Sequence, residues 1–491
     1  MTLTIPGRPG LTVPTPWYPT PFNRMSGSFV AAYARLMTDL VGEVRVVHAQ
    51  EWPGGKAGGA AAAVLRDAFD EVTGAMAASG GLTVTGAAGP VLRVPVFTLG
   101  GTTIPERAEG MVRDVRRVAG SFDTPIVHGH VGYWGGLLAA RLADPASAVF
   151  ATEHSSGLIG VLEDPAGRDH YAELLERATT VFCVSGHLRD TVLAALPGYE
   201  HKLDVLPNPV DFTSVPRRPA PPEALDRWVF VGGIAEHKGV ERATRAFCAV
   251  ARDNPRAEFT LFGSGPAEQA VRDIAASAGV ADRVHLRGIV PHTQVLAELP
   301  RHDLLVAPSR YETFHLAVVE AVAAGLPVIV TRSGGPQESL RGVEDRVGRF
   351  VDVEDSPDAI VDAYAELSGA LGSLDLDGAR VELDARLGPD AVLARLARAY
   401  AAAVPGDRAS GDRASGDRAD RGDRSRPVPG TPERLVVVAT SAWRRYSVTE
   451  ELAAARRSGA PTVVVTADPE VTAWAQGLRV VGPQGVPSAG P

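Results

Sequence analysis

Residues 311–331 read YETFHLAVVEAVAAGLPVIVT and decide what kind of fold this chain can adopt. The run 316–324 is apolar on every side at helical spacing, which is typical of a helix enclosed in a core rather than lying at a surface. Gly325 ends this helix, Pro327 prevents its resumption, and 328–331 is predicted to be a short buried strand.

Glu320 is the one charged residue inside this apolar run, and Glu312 precedes it across a short loop. An ionised carboxylate is rarely buried without a partner. Two interpretations of Glu320 therefore stay open. It either faces a cleft, where it meets a ligand that has hydroxyl donors, or it pairs with a nearby arginine at the domain surface.

Outward from this stretch, short apolar runs alternate with Ala- and Leu-rich segments of helical length. The runs predicted to be strands are 44–49, 125–130, 149–154, 181–185, 203–207, 228–232, 258–263, 284–288, 304–308, 328–331 and 349–353. Such alternation is typical of parallel sheets joined by crossover helices. The predicted fold class is therefore α/β, with doubly wound, Rossmann-like domains.

The length of 491 residues requires more than one domain. Residues 214–224, VPRRPAPPEAL, are proline-rich and are predicted to link two domains of similar size, 1–213 and 225–383. A terminal helix is expected over 384–404.

Residues 406–426 read GDRASGDRASGDRADRGDRSR, a repeat with five Asp and six Arg. We interpret 405–430 as a disordered linker, because the interleaved Asp argues against an arginine tract that binds nucleic acid. Beyond it, apolar runs at 434–440 and 461–466 flank a helix-like segment, 448–457. This pattern predicts a small α/β segment over 431–491, of open role.

The composition excludes several classes of protein. The chain is 45% hydrophobic with a net charge of −9, and it shows no basic stripe of the kind that binds nucleic acid. Cys183 and Cys248 lie in apolar surroundings and are expected to be reduced core residues, which fits a cytoplasmic protein. The N-terminus lacks a signal-peptide pattern, and no apolar stretch has membrane-spanning length. Peripheral membrane contact stays open.

Polar residues follow several predicted strands, where open α/β sheets bind their ligands. Gly27 lies in a turn that opens a helix, a natural phosphate site. His128 and His130 end one strand, and without an evident third metal ligand His130 is expected to form hydrogen bonds in a cleft. Lys238 is placed to neutralise a phosphate, although taken alone it is better interpreted as a solvated surface lysine.

Together these features resemble the retaining nucleotide-sugar glycosyltransferases of the GT-B fold, family GT4. The resemblance rests on the E-x7-E motif from Glu312 to Glu320, within PSRYETFHLAVVEAVAAGLPVIVTRSGGPQES. Further matches are LPNPVD at 206–211, the pair Lys238-Gly239, and TEHS at 152–155. The similarity covers about residues 15 to 404.

The resemblance implies a binding site for the donor diphosphate. Lys238 would neutralise the diphosphate and assist its departure. The backbone of Phe314, His315 and Leu316 would hold the diphosphate or the sugar at a helix N-terminus. Gly27 would let the N-terminal loop approach the phosphates.

The resemblance also implies contacts to the rest of the donor. Glu312 would contact the transferred sugar, and Glu320 would hold the ribose hydroxyls. Ile289 would flank the base. His130 would touch the sugar or the acceptor near the reacting centre. The terminal helix 384–404 would brace the N-terminal domain.

Two departures from the family pattern concern the same site. The family often places an arginine where this chain has Gly233, so one diphosphate cation is missing unless Arg310 or Arg332 substitutes for it. The family's glycines after the first motif glutamate are replaced by Thr313 and His315, which narrows the sugar site.

The resemblance implies a retaining transfer of a hexose-type sugar from a nucleotide diphosphate, a UDP-sugar being expected, to an acceptor hydroxyl. The acceptor would belong to polysaccharide, glycolipid or natural-product biosynthesis. The resemblance also implies that no metal or cofactor is needed. The high content of Ala, Gly, Arg and Pro indicates a GC-rich bacterial genome.

Two alternatives remain beside this hypothesis. The lost arginine and the additional C-terminal segment motivate a non-catalytic partner that binds a nucleotide-sugar and supports another transferase. The other alternative keeps the fold but changes the chemistry, as in a phosphorylase or a sugar-nucleotide epimerase built from two similar domains. The residues around the E-x7-E motif argue against this alternative.

Overall fold

The computed structural model describes residue 5, residues 7–20, 26–53, 59–86, 88–354 and 356–404, and three strand segments beyond them. The chain divides into two compact units. The first comprises residues 1–48, 85–91 and 122–404, and the second comprises 49–84, 92–121 and 405–491.

The N-terminal part of the described chain supplies the strands of one sheet. These strands are β1 Leu11–Thr15, β2 Val44–Pro53, β3 Leu82–Gly86, β4 Gly89–Thr98, β5 Ile126–His130, β6 Ala148–Glu153, β7 Thr180–Cys183 and β8 Leu203–Val205. Within the first unit they run in the order β2-β1-β5-β6-β7-β8, and each neighbouring pair is parallel. His130 pairs in register with Thr152, so the polar ends of β5 and β6 lie at one edge of this sheet.

Helices connect these strands, as the alternating pattern predicted. They are α1 Ser28–Leu40, α2 Gly59–Ala78, α3 Ile104–Ala119, α4 Leu137–Leu142, α5 Leu158–Glu163, α6 Pro165–Arg177 and α7 Gly186–Ala195. A wide, π-type helical turn, Val131–Gly136, separates β5 from α4. Such turns are rare and occur frequently at functional sites.

The second sheet lies in the C-terminal half of the first unit. Its strands are β9 Arg227–Val231, β10 Glu258–Phe262, β11 Val284–Gly288, β12 Leu304–Ala307, β13 Val328–Thr331 and β14 Gly348–Val351. Their order is β11-β10-β9-β12-β13-β14, and every pair is parallel. Trp228, Phe247 and Phe259 belong to its buried core.

The helices of this half begin with α8 and end with α16. They are α8 Val240–Asp253, α9 Glu268–Ser277, α10 His292–Glu298, α11 Leu316–Ala323, α12 Gly335–Ser339, α13 Glu344–Val347, α14 Asp358–Gly369, α15 Leu376–Leu387 and α16 Pro389–Ala403. The buried helix predicted from the opening stretch is α11, and it ends one residue earlier than predicted, at Ala323. The predicted α/β class with two Rossmann-like parallel sheets is confirmed.

The prediction of a single terminal helix over 384–404 is wrong in one respect, because this range contains the end of α15 and all of α16. Gly388 is extended, with φ −63° and ψ 159°, and Pro389 follows it. Proline is favoured at the first helical position and disfavours helix in the residue before it, so α15 ends and α16 begins here. On α16, Tyr400 is fully buried and forms a short hydrogen bond with Nδ1 of His128.

The proline-rich segment 214–224 connects the two sheets. Strands β1 and β5 to β8 of the first sheet nevertheless belong to the same compact unit as the whole second sheet. Arg218 anchors this connection, because its guanidinium lies 3.2 Å from Oδ1 of the buried Asp303, and its backbone N–H donates to the Ala324 carbonyl.

The second unit contains α2, α3 and three short strands near the C-terminus. Thr103 caps α3, since it accepts a hydrogen bond from the Glu106 N–H while Glu106 accepts one from the Thr103 N–H. The strands β15 Arg434–Val437, β16 Thr462–Val465 and β17 Arg479–Val481 form a parallel sheet in that order. The first two correspond to predicted strands.

Other predictions fall outside the described residues. These are the linker 405–430, the helix-like segment 448–457 and the part of the N-terminal loop at 21–25. In the described part of the chain, every helix is too short or too polar to span a membrane.

Candidate active site

The carboxyl ends of both parallel sheets border one cavity of about 240 Å³ in the first unit. From the N-terminal half, Trp17, Phe29, His154 and Asn208 line it. From the C-terminal half, the lining comprises 230–232, Lys238, Ser309 and 312–317. The E-x7-E region therefore begins inside a cavity that both halves of the chain build.

Lys238 and Glu312 form the charged centre of this cavity. Nζ of Lys238 lies 2.8 Å from Oε1 of Glu312, and Oγ of Ser309 donates to the same oxygen at 2.7 Å. Glu312 is only 7% exposed. Burial acts to raise the pKa of Glu312, but His315 and Lys238 outweigh it and hold this pKa below its usual value. The carboxylate is therefore ionised, and the interpretation of Lys238 as a solvated surface lysine is wrong.

His315 introduces α11 in a conformation that few residues adopt. Its φ is 71° and its ψ 67°, the left-handed region, which costs a residue with a Cβ roughly 1–2 kcal/mol. Its buried Nε2 lies 3.5 Å from Oε1 of Glu312, and burial lowers the pKa of this imidazole. The cavity thus reaches the first turn of α11, where a helix leaves backbone N–H groups without helical partners.

Glu320 lies in the second turn of α11 and is 6% exposed. Its Oε1 lies 2.8 Å from Nε2 of His292, at the start of α10. The alternative partner predicted for Glu320, an arginine, is therefore wrong, because a histidine occupies that place. Burial acts to lower the pKa of His292, but the hydrogen bond and the charge of Glu320 outweigh it and raise this pKa.

His130 belongs to a buried group of histidines at the ends of β5 and β6. Its Nδ1 lies 3.0 Å from Nε2 of His154, and Nδ1 of His154 lies 3.0 Å from Oδ1 of Asn208. His128 stacks on His130, with ring centroids 4.7 Å apart. Burial lowers the pKa of His130 to about 3 and lowers that of His154, so both imidazoles are neutral at physiological pH.

The sequence did not identify His154 and Asn208 as site residues. Of the described histidines in this group, His154 lines the cavity. His130 is linked to the cavity by the contact of its Nδ1 with His154. The signals were present in the TEHS and LPNPVD stretches. Oγ1 of Thr313 donates to the His154 carbonyl at 2.9 Å, which joins the two halves beside the cavity.

Gly27 directly precedes α1 with a φ of 66°. A Cβ at this position would lie 2.2 Å from the Trp17 carbonyl oxygen, so only glycine fits next to the Trp17 backbone. Trp17 lines the cavity and packs edge-on against Phe29, with ring centroids 6.2 Å apart. Gly27 thereby permits the close approach of the N-terminal loop to this cavity.

The predicted substitutes for the missing cation lie elsewhere among the described residues. Arg332 pairs with Asp352 at 3.4 Å, and Arg310 borders a neighbouring pocket with Glu236 and Glu354. A Cβ built on Gly233 would meet no atom within 4 Å, so the space for a side chain is open there.

Ile289 follows β11 and is 50% exposed. It is not one of the described residues that line the cavity. Its contact with the base of the donor nucleotide stays a prediction. The described residues contain no group of three or more His, Cys, Asp or Glu side chains arranged to hold a metal ion.

Both halves of the chain match known protein families. Residues 71–214 match the family model described as Glycosyltransferase Family 4. Residues 226–369 match the model described as Glycosyl transferases group 1.

Individual relatives also match parts of the chain. A glycogen synthase from Mycobacterium tuberculosis is 30% identical over 204 residues, which cover 40% of this chain and 48% of the relative. A 2-deoxystreptamine N-acetyl-D-glucosaminyltransferase from Streptomyces fradiae is 32% identical over 193 residues, covering 36% of this chain and 44% of the relative. The chain thus spans about half the length of the curated relatives it matches.

Among solved structures, a sucrose-phosphate synthase from Thermosynechococcus elongatus superposes with a TM-score of 0.61. The superposition covers 80% of this chain and 98% of that one, at 16% identity. At this identity the likeness shows a shared fold, with two facing α/β halves.

Proposed function

Because this chain belongs to the group 1 glycosyltransferases of family 4, with the GT-B fold, we propose that it transfers a sugar from a nucleotide-diphosphate donor to an acceptor hydroxyl. The proposed donor is a UDP-hexose, and the transfer retains the configuration at the anomeric carbon. The proposed acceptor belongs to polysaccharide, glycolipid or natural-product biosynthesis.

The observation that carries this proposal is the placement of Lys238 and Glu312 at the start of α11. A departing nucleoside diphosphate gains negative charge as the bond to the sugar breaks. A lysine Nζ and the N-terminus of a helix are the two groups in this cavity that stabilise such charge. Nζ of Lys238 lies 2.8 Å from Oε1 of Glu312, so the cation lies in the cavity next to the loop that leads into α11.

We propose that the donor lies along α11. Its diphosphate contacts Lys238 and the backbone of Phe314, His315 and Leu316, and Gly27 lets the N-terminal loop approach the phosphates. Glu312 contacts the transferred sugar, which then lies at the junction of the two halves.

The nucleoside of the proposed donor extends beyond the cavity, toward Glu320 and Ile289. Glu320 accepts hydrogen bonds from the ribose hydroxyls in place of, or beside, its contact with His292. Ile289, half exposed after β11, offers an apolar surface to the base.

On the acceptor side, His154 and Asn208 border the cavity, and His130 supports His154. In the proposed reaction the acceptor hydroxyl attacks on the face from which the diphosphate departs, and a hydrogen bond to the leaving phosphate orients it. No protein nucleophile, metal or cofactor takes part in this scheme. The two buried free cysteines, Cys183 and Cys248, are compatible with the proposed cytoplasmic location.

One observation favours a second candidate function, a non-catalytic nucleotide-sugar-binding partner of another transferase. Gly233 stands where the family often has an arginine, and neither Arg310 nor Arg332 borders the described cavity. With a single lysine on the diphosphate, binding of the donor without turnover is a coherent alternative.

Both functions are tested by thermal shift with UDP, GDP, ADP, TDP and their glucose conjugates, followed by detection of released nucleotide. A ligand at about 100 times its Kd adds about 2.7 kcal/mol of stability. A shift with UDP-glucose, together with UDP release when a panel of hydroxyl-bearing sugar, glycolipid and aglycone acceptors is added to the purified chain, supports the transferase. A shift without any release supports the non-catalytic partner, and no shift with any nucleotide contradicts both.

A further inference from the structure

Glu153 is a carboxyl group buried beside the cavity that the proposed reaction does not use. It ends β6 and is 0% exposed. A buried carboxylate needs compensating partners. No lysine or arginine of the described residues pairs with Glu153; its carboxyl oxygens accept hydrogen bonds from backbone amides, and the Tyr171 hydroxyl also faces them.

These amides come from two separate loops. Oε1 accepts hydrogen bonds from the N–H groups of His154 and Ser155, both at 2.9 Å. Oε2 accepts one from the N–H of Tyr133 at 3.0 Å, and the Gly132 N–H also contributes. One carboxyl group therefore ties the loop after β6 to the wide turn after β5.

The wide turn needs such an anchor. Val131 has a φ of 63°, a left-handed conformation that is a genuine outlier for a β-branched residue. Strained backbone of this kind persists only where surrounding contacts hold it. A Cβ at Gly132 would lie 2.7 Å from Oε2 of Glu153, so the close approach of turn and carboxyl group requires glycine there.

The two tied loops carry the two histidines that meet at the cavity. His130 directly precedes Val131, and His154 directly follows Glu153. Their ring nitrogens lie 3.0 Å apart, and His154 borders the cavity. The separation of the imidazoles thus depends on the same backbone that the carboxyl group holds.

We propose that Glu153 is a positioning residue, whose buried carboxyl group clamps the loops after β5 and β6 so that His130 and His154 meet at the cavity. The structural part of this inference rests on the contacts alone. Its consequence for turnover rests on the proposed function.

The clamp is sensitive to protonation. Burial raises the pKa of Glu153 to about 7, although the backbone hydrogen bonds act in the opposite direction. Tyr171, Cys183 and Tyr311 are the titratable groups that feel its charge, and burial raises the pKa of all three. Near neutral pH the carboxyl group is then the member of this cluster that changes charge, and its protonated form accepts fewer amide hydrogen bonds.

Glu153→Gln tests the clamp selectively. A glutamine keeps one acceptor oxygen. Its NH₂ group faces the N–H donors of the other loop and cannot accept hydrogen bonds from them. We expect the glutamine oxygen to stay with the two amides of His154 and Ser155. The turn after His130 then loses its hydrogen bonds to the side chain at position 153. The control is Glu173→Gln, which removes a carboxylate that pairs with Arg141 at a partly exposed site.

The readout is the ring-nitrogen NMR spectrum of the full chain, with His130 and His154 assigned from His130→Gln and His154→Gln. In the wild type we expect both ring signals to shift with a midpoint near pH 7, while the imidazoles stay neutral. In Glu153→Gln we expect displaced signals without that midpoint, and in Glu173→Gln the wild-type pattern. A Glu153→Gln spectrum equal to wild type overturns the proposal. Gly132→Ala is a second variant, because its Cβ would lie 2.7 Å from Oε2 of Glu153 and would push the turn away from the carboxyl group. A Gly132→Ala spectrum equal to wild type also overturns the proposal, so the test stands even where Glu153→Gln does not fold.

Turnover separates this inference from the proposed function. We expect Glu153→Gln to lower kcat about tenfold or more with little change in the KM for the donor, because misplaced groups near the reacting centre slow chemistry. Displaced histidine signals in a chain whose wild type releases no nucleotide contradict the transferase and leave the clamp standing. Displaced signals with unchanged kcat overturn the link between the clamp and turnover.

Discussion

Nζ of Lys238 lies 2.8 Å from Oε1 of Glu312, although 74 residues separate them in the chain. Lys238 ends the short helical turn after β9, and Glu312 lies in the loop after β12. Strands β9 and β12 are neighbours in the sheet, and their carboxyl ends meet at one edge. The strand order of a doubly wound sheet therefore creates this ion pair, and with it the charged centre of the cavity.

Lys238→Ala is expected to lower kcat by about 10²–10³-fold, because it removes the cation proposed to stabilise the departing diphosphate. Its melting temperature should also fall, because the buried Glu312 carboxylate loses the cation that pairs with it. The measurement is nucleotide release by the purified chain, with Lys202→Ala as the control, a lysine bound to the Ala178 carbonyl outside the cavity lining. A kcat equal to wild type would remove Lys238 from the mechanism.

Glu320→Ala is expected to weaken nucleotide binding more than it slows turnover, because it removes acceptors for the ribose hydroxyls. Hydrogen bonds to a charged group contribute about 1.5–3 kcal/mol, so a loss of about tenfold or more in affinity should follow. Titration calorimetry with UDP measures it. His292→Ala is the matched variant, since it removes the partner of Glu320 and leaves the carboxylate. Equal UDP affinity in wild type and Glu320→Ala would contradict the ribose contact.

The His292–Glu320 pair also predicts a pH dependence of stability. The pKa of His292 is raised in the folded chain, so folding is favoured by protonation of this residue. That contribution is fully present below the unfolded pKa of about 6.5 and is lost as the pH rises through the higher folded value. We therefore expect the difference in melting temperature between wild type and His292→Gln to shrink from pH 5.5 to pH 8.5. A difference that grows over this range would show that the pair acts in another way.

The sequence predicted the fold more completely than the site, because the two depend on different information. Apolar runs such as 328–331 and the buried run around Glu320 mark strands and helices locally, and the structure confirms them. Side-chain partners depend on which strands become neighbours. His292 was therefore not predicted for Glu320, although it lies only 28 residues away in the chain.

Strands β3, β4 and β17 were missed for local reasons. β3 and β17 are short, and β3 is largely exposed, so its residues lack the apolar run that marks buried strands. β4 contains Pro90 and Pro95, which argue against a strand in the sequence. His154 and Asn208 were quoted as family matches but not as site residues, because their 3.0 Å contact joins positions 54 residues apart. A local pattern carries no information on such a distance.

His315 gives a prediction about the donor sugar, because its side chain occupies space where the family has glycine. Glycine adopts a φ of 71° without strain, so His315→Gly should open the cavity at little cost in stability. We expect the ratio of kcat/KM for UDP-N-acetylglucosamine over UDP-glucose to rise, since the larger sugar gains room beside Glu312. Nucleotide release with the two donors measures this ratio.

His315→Ala is the matched variant that separates space from backbone strain. It opens the same space but keeps a Cβ in the left-handed region, so it should melt below His315→Gly by an amount equivalent to roughly 1 kcal/mol. The two variants should nevertheless show the same change in donor preference, because that change depends on the removed imidazole. An unchanged donor ratio in both variants would mean that His315 does not border the transferred sugar, and the narrowing of the sugar site would then have to be assigned to Thr313.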